Sequence, residues 1–411
     1  MASRPYMPFA QLFESPLRNG LTKPKAVRGE GMKMVNMGEV FAHRRIQNLD
    51  MDRVPMDSRE RQNSLLSAGD LLFARQSLVL SGAGKCCLFQ GDKEEVTFES
   101  HIIRCRLNQK KADPAFYFYL FQSQQGRSLI ESIVEQVAAA GIRGSDLGRL
   151  EVPVPPLHEQ KAIASILGAL DDKIELNRRM NATLEAMARA LFQSWFVDFD
   201  PVRAKLDGRP PTGLDPETAA LFPATFQDSP LSHIPQGWEI GRLDDVLTLQ
   251  RGFDLPTPDR THGKYPVMAA SGPNGCHDKF MVHGPGVTTG RSGVLGKVFF
   301  IHGEFWPLNT SLWVKEFKRV SPAYAFHLLR ELDFEMFNSG SAVPTLNRNH
   351  VHNLQVIMPP KDIIGAFDAQ IMPLMLRQKA NEDQSRTLAI IRDTFLPKLL
   401  SGQLRDESKH A

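Results

Sequence analysis

A loop that cradles a nucleotide phosphate needs closely placed glycines and a Lys-Ser/Thr pair to complete the site. The sequence comes nearest to this at Gly296-Lys297, where Arg291 stands in the first glycine position and Val298 in the hydroxyl position. Gly82-Ala83-Gly84-Lys85 lacks the third glycine of a dinucleotide loop. Five histidines lie between 233 and 302 (His233, His262, His277, His283, His302), none at the i, i+4 spacing that puts two ligands on one helix face. They read as surface or satisfied side chains. Cys86, Cys87, Cys105 and Cys276 follow no C-x-x-C or Cys/His spacing, which argues against a zinc site or a disulfide scaffold. Asp113-Pro114-Ala115-Phe116 has the acid, proline and aromatic of a loop that grips an amine for methyl transfer. Ala115 replaces its second proline, however, and no methyl-donor glycine motif accompanies it. The segment reads instead as a helix start, with Asp113 as cap and Pro114 in the first turn. No catalytic constellation emerges, and the chain reads as a binding protein.

The elements that must position any binding residues come from a chain of 411 residues with net charge +3 and 42% hydrophobic content. That length allows two or three domains, each with its own core. No apolar run approaches the roughly 18 residues of a membrane span, and the start has no export-signal layout. A reduced, cytoplasmic protein is expected, and Met1 with the polar ending Glu407-Ser408-Lys409-His410-Ala411 reads as a complete chain. Residues 1–150 hold 21 Lys/Arg against 16 Asp/Glu, a mildly basic balance that permits phosphate binding without requiring it.

The chain repeats itself at an offset of 204: Leu150-Glu151-Val152-Pro153-Val154-Pro155-Pro156 recurs as Leu354-Gln355-Val356-Ile357-Met358-Pro359-Pro360. Residues 150–196 match 354–400 at nine of 47 positions, against roughly three expected from average usage. Looser echoes link Asp113-Pro114-Ala115-Phe116 to Ser321-Pro322-Ala323-Tyr324, and Gly69–Arg75 to Pro285–Arg291. After each Pro-Pro the pattern is helical. Ile163, Leu167, Leu170, Ile174, Asn177, Asn181, Leu184, Ala188, Leu191 and Trp195 alternate spacings of four and three, a heptad seam. The second copy continues it with Phe367, Ile371, Leu374, Gln378, Asn381, Ser385, Leu388, Phe395 and Leu399, with a kink or break expected at Pro373. Asn177 and Asn381 sit where a buried Asn fixes register. Seven prolines in Asp200–Pro235 predict an extended, irregular linker.

The expected fold is α+β: two α/β globular domains separated by two long antiparallel coiled-coil helices, with pseudo-twofold symmetry. The expected boundaries are a first domain over 1–152, a first helix over 153–199, a linker over 200–233, a second domain over 234–358 and a second helix over 359–404. Strands are expected at His101–Leu107, Val294–Ile301 and Leu312–Phe317, and short helices at Ala115–Gln124 and Pro322–Leu332.

Leu150–Ala164, Leu170-Asp171-Asp172-Lys173-Ile174-Glu175-Leu176-Asn177, Leu191-Phe192-Gln193-Ser194-Trp195-Phe196, Ile234-Pro235-Gln236-Gly237-Trp238 and Gly69-Asp70-Leu71-Leu72-x-x-Arg75 together resemble the specificity subunits of Type I restriction–modification systems. The likeness runs over nearly the whole chain, in the family's order. The second copy departs from the first at Ile363-Ile364, in place of Glu159-Gln160, and at Pro373. The resemblance implies a non-catalytic DNA-binding subunit whose two target-recognition domains each read half of a split site. It also implies helices that set the spacer and dock two methyltransferase subunits, with restriction subunits joining them. S-adenosylmethionine, ATP and Mg would belong to those partners. Because the two globular segments differ in sequence, their half-sites should differ, unlike the palindrome of a symmetric dimer. Four residues inserted after Thr183, about 6 Å of helix, would then lengthen the spacer by one or two base pairs.

Side chains able to reach base edges or phosphates gather at Arg75-Gln76-Ser77, Arg143-Gly144-Ser145, Arg291-Ser292 with Lys297, and Asn309-Thr310-Ser311. Two rival readings are a coiled-coil adaptor that binds only protein and the reading module of a single-chain restriction–methylation enzyme.

Overall fold

A computed structural model describes residues 5–136, 140–334 and 345–403. The ending 407–411 lies outside the described residues. The chain divides into two compact units, residues 1–177 with 383–411 and residues 178–382, so each long helix contributes one half to each unit.

In the first unit a five-stranded sheet has the order Arg18–Asn19, Ile102–Cys105, Leu71–Ala74, Cys86–Gly91, Arg45–Gln47, and only the last pairing is parallel. The helix Pro114–Gln122 packs on Cys86–Gly91. It starts as expected: the Asp113 carboxylate accepts from Phe116 N at 2.9 Å, and Pro114 occupies the first turn. Phe116 to Phe121 are all buried, the mark of a helix enclosed on every side. The repeated Leu-x-Val motif is a strand in each unit. Glu151–Pro153 pairs antiparallel with Tyr6–Pro8, and Gln355–Met358 pairs with Glu239–Arg242. Each motif thus ties the end of its globular part to the beginning, and Pro-Pro then releases the chain into a long helix.

The second unit holds the four-stranded order Leu247–Arg251, Ser311–Phe317, Gly286–Gly290, Val298–Ile301, all antiparallel. The helix Pro322–Glu331 lies on it, capped by Ser321 Oγ, which accepts from Tyr324 N at 3.0 Å. The expected strands and short helices are present with ends shifted by a few residues; the largest shift is in the strand expected over Val294–Ile301, which begins at Val298.

The long helices span Leu157–Phe192, followed by a π-helical turn to Val197, and Lys361–Ser401. Within each unit their halves run antiparallel. In the first, Asn177 Nδ2 donates to Gln384 Oε1 (2.9 Å) and Ser385 Oγ (3.2 Å), and Arg392 Nη1 donates to Asp171 Oδ1 (2.7 Å). In the second, Asn381 Nδ2 donates to Asn181 Oδ1 (2.8 Å), and Gln378 Nε2 to Asn181 O (3.1 Å). The 204-residue offset converts Asn177–Ser385 into Asn381–Asn181, so the two units use the same contact. Both Asn177 and Asn381 are buried, as expected of register-setting positions.

The seam differs from a strict heptad in one respect. Ile163, Leu167, Phe367 and Ile371 are buried, but Leu170, Ile174, Leu184, Leu191, Leu374 and Leu388 are only partly so, and Phe395 is exposed. Asp171, Met375 and Leu396 take the inward places. The change is local: Asn177, Ala188, Trp195, Asn381 and Leu399 stay buried at their heptad positions, and Asp171 is turned inward by its bonds to Tyr119 and Arg392. Pro373 does not break the second helix, which runs through it. Pro373 and Ala369, whose carbonyl loses its bond, are both exposed, so water can satisfy that carbonyl.

The proline-rich segment is also not an irregular strap. It forms the helices Asp200–Leu206 and Pro216–Leu221 and the hairpin of Phe226–Gln227 with Ile234–Pro235. Pro201 and Pro216 sit in first turns, where a missing N–H costs nothing. Trp195 lies edge-on to Phe222 (5.1 Å), and Phe199 edge-on to Trp238 (5.6 Å), fastening this segment to the second unit's core.

The units fix their globular parts to the helices by different chemistry. In the first, Gln160 accepts from Asp113 N (2.8 Å) and donates to Pro155 O (2.8 Å). Tyr119 Oη donates to Asp171 Oδ2 (2.8 Å), and Arg45 Nη1 to Asp172 (2.7 Å). In the second, the corresponding residues are Ile364 for Gln160, Met375 for Asp171 and Ala188 for Arg392. His327 matches Tyr119 in its helix and stacks on Phe192 at 5.5 Å.

Candidate nucleic-acid interface

In the first unit the strand Leu71–Ala74 delivers Arg75 to a backbone junction. Arg75 N donates to His101 O (2.7 Å), and Arg75 O accepts from Ile142 N (2.9 Å). Gln76–Ser77 then pairs antiparallel with Ala140–Gly141, which pairs with Glu135–Gln136. The junction brings Arg75, Gln76, Ser77 and Arg143 to one small sheet edge. The Arg143 guanidinium is held by Glu135 at 2.6 Å, with both side chains largely exposed, so the pair adds little stability and leaves donors free to exchange partners. Arg75 is half-buried, and among the described residues no ion pair holds it. Ser145 is not gathered in. It contacts Asp146 (3.4 Å) and lines a separate cleft of about 580 Å³ with Phe13 and Leu17.

The second unit repeats the junction with other residues. Arg291 N donates to Thr310 O (2.8 Å), and Arg291 O accepts from Leu346 N (2.8 Å). Gly290, just before it, could carry no side chain, because a Cβ there would collide with Val294 O. Arg291 Nη1 reaches Asn309 O (3.3 Å), Ser292 N also donates to Thr310 O (3.1 Å), and Asn309 Nδ2 binds Asp254. Ser292, Asn309 and Thr310 line a cleft of about 460 Å³ with Asp254, Arg260 and Asn274. Lys297 is exposed and lies apart from this group, in a cleft of about 370 Å³ with Glu185, Arg189 and Phe326.

Arg260 and Asn274 are interface candidates that the sequence reading missed. Arg260 Nη1 donates to Asn274 O (2.9 Å), and both residues precede the Arg291 turn. No local spacing marks them; only the folding of Tyr265–Ala269 against Gly272–His277 brings them to the cleft.

This arrangement can hydrogen-bond and neutralise. Guanidinium and carboxamide groups at sheet edges suit bidentate contacts to base edges, and Ser, Thr and backbone N–H groups suit phosphate. Among the described residues no group of three or more His, Cys, Asp or Glu is placed to hold a metal ion. Burial pushes the Cys87 thiol up to about 12 and raises Cys86 and Cys105 well above their usual value, so these three are inert packing groups. No helix among the described residues is long and apolar enough to cross a membrane.

Comparison with known proteins gives one consistent likeness. A family model described as "Type I restriction modification DNA specificity domain" matches residues 30–186 and again 235–379. The MjaIX specificity subunit, from a Type I restriction enzyme of Methanocaldococcus jannaschii, is 25% identical over 327 residues, covering 71% of this chain and 69% of that protein. The HindI specificity subunit of Haemophilus influenzae is 24% identical over 445 residues, covering 90% and 94%. Among solved structures, the S subunit of a Type I restriction–modification system from M. genitalium matches with a TM-score of 0.62 over 97% of each chain at 17% identity, a likeness of fold.

Proposed function

The chain belongs to the Type I restriction modification DNA specificity domain family, and from that premise we propose that it is the non-catalytic DNA-reading subunit of such a complex. Each unit reads one half of an asymmetric bipartite target. The long helices set the spacer and dock methyltransferase subunits, and restriction subunits complete the assembly. S-adenosylmethionine, ATP and Mg belong to those partners.

The observation that carries this reading is the duplicated junction: Arg75 and Arg291 occupy the same backbone setting in two units that surround it with unlike side chains. One scaffold presenting two different sets of donors suits two different half-sites. Mapping methylated adenines across the genome, in cells with and without this chain, tests it. The expected result is one asymmetric two-part motif that loses methylation when the chain is deleted. An unchanged methylation pattern would overturn the reading and leave the protein-adaptor role.

A further inference from the structure

The turn that follows Gln76–Ser77 carries Leu78, Val79 and Leu80 at 97%, 60% and 48% exposure, making Leu78 the barest large apolar side chain among the described residues. The turn is held firmly. Val79 N donates to Ser77 Oγ (3.1 Å), Gly82 N to Val79 O (3.0 Å) and Ala83 N to Leu80 O (3.3 Å). From beneath, the Arg127 guanidinium donates to Leu80 O (3.0 Å) and Ala83 O (2.8 Å). A backbone pinned at this many points fixes the directions in which the three side chains leave it. The fold therefore builds an outward apolar tip where a merely structural turn would carry polar residues.

The surroundings indicate what the tip meets. Residues 71–91 include Arg75 and Lys85 and no Asp or Glu. Lys85 Nζ bonds Phe41 O (2.7 Å) and lies over the exposed Phe41 ring (5.4 Å), extending the apolar surface beside a cation. Among the described residues the Arg291 turn of the second unit carries no such tip. This turn spans seven residues from Arg291 to Lys297, where the first takes eleven from Arg75 to Lys85, and its Val294 and Leu295 are half-buried.

We propose that Leu78–Leu80 is an apolar wedge that enters duplex DNA next to Arg75 and unstacks a base step, in the half-site of the first unit only. Apolar side chains between base steps, anchored by neighbouring cations and polar donors, are a general way to kink a duplex. The segment itself holds cations and no carboxylate, and the neighbouring Glu131 and Glu135 are neutralised by Arg127 and Arg143, so phosphates can approach it, which favours DNA over a protein partner as the occupant. This inference rests on the DNA-reading role.

The test uses the full chain together with its methyltransferase subunits, and one 40-base-pair duplex recovered from a randomised pool by binding to the wild-type complex. Permanganate oxidises unstacked thymines. Beyond any thymine opposite a methylated adenine, which base extrusion by the methyltransferase exposes by itself, the wild type is expected to produce reactive thymines in one half-site alone. Leu78→Ser with Leu80→Ser should abolish that reactivity and weaken binding about tenfold, while Leu78→Met keeps both. All three side chains are exposed, so an unchanged melting temperature should accompany the variants. If the wild type binds the duplex but no such further thymine becomes reactive, or if that reactivity survives in the double variant, the wedge is wrong while the reading role stands. If the double variant loses its methyltransferase subunits and keeps DNA affinity, the tip is a protein contact. If no duplex is recovered at all, the reading role itself fails, and the wedge with it.

Discussion

Asp171 and Arg392 offer a quantitative test of how the first unit is fastened to its helices. Both side chains are about nine-tenths buried, at 8% and 11% exposure, and their 2.7 Å bond is joined by the Tyr119 hydroxyl at 2.8 Å. Burial works against the Arg392 charge, but the bonds and fields of Asp171 and Asp393 more than offset it and hold the guanidinium above its usual range. Burial likewise depresses neighbouring Arg44, opposed chiefly by Asp171. Replacing Asp171 with Met, the residue at the matching position 375, strands Arg44 and the hydroxyl and leaves Arg392 half-stranded, with only the exposed Asp393 as partner. Breaking one partner of a buried pair costs about 3–5 kcal/mol. Arg392→Ala leaves Asp171 bonded to Tyr119 and facing Arg44, a loss of about 2 kcal/mol. The double variant installs the second unit's Met/Ala pair and removes one stranded cation, so it should cost no more than Asp171→Met alone, a coupling of about 2 kcal/mol. A two-unit chain need not unfold in one step, so amide exchange over residues 165–177 and 385–397 is the appropriate readout. Additivity within about 0.5 kcal/mol, or an Asp171→Met cost below about 1 kcal/mol, would refute the network as the fastening element.

Burial, aided by Arg330 and opposed by Glu185, pushes His327 down to about 4 from its usual 6.5. Between those values the unfolded chain takes up a proton that the folded chain refuses. The neutral histidine's contribution is therefore complete above pH 6.5, and about 3 kcal/mol is lost as pH falls to 4. Amide exchange over Pro322–Glu331 should show this acid sensitivity, and His327→Phe should flatten it; equal slopes in both proteins would contradict the assignment. Arg291→Ala should weaken duplex binding by roughly 1–3 kcal/mol at fixed salt if its guanidinium reads a base, and a titration without loss would remove it from the interface. Pro373→Ala restores a helical hydrogen bond at an exposed position, so it should stabilise the second unit by up to about 3 kcal/mol; no gain in melting temperature would mean that the helix already accommodates the ring.

The sequence by itself established the features that depend on local chemistry and repetition. Pro-Pro followed by a long proline-poor amphipathic run dictates a helix wherever it occurs, and Asp113 and Ser321 cap their helices because a short polar side chain can satisfy a free N–H three residues on. The 204-residue offset placed Asn177 and Asn381 in equivalent positions before any contact was seen. Proline content misled in Asp200–Pro235 because proline breaks a helix only in its interior, and Pro201 and Pro216 stand at helix starts. The buried stripe left the heptad positions only locally, at Leu170, Leu374 and Phe395 in favour of Asp171, Met375 and Leu396, because contacts with residues far along the chain, such as Tyr119 on Asp171, decide which side of a helix is covered. Only the tertiary structure could join Arg75 to His101 and Ile142, or Arg260 and Asn274 to Ser292 and Asn309. Those residues are brought together by strand pairings tens of residues apart. Such pairings are selected by burial of the whole sheet, and no spacing along the chain records them.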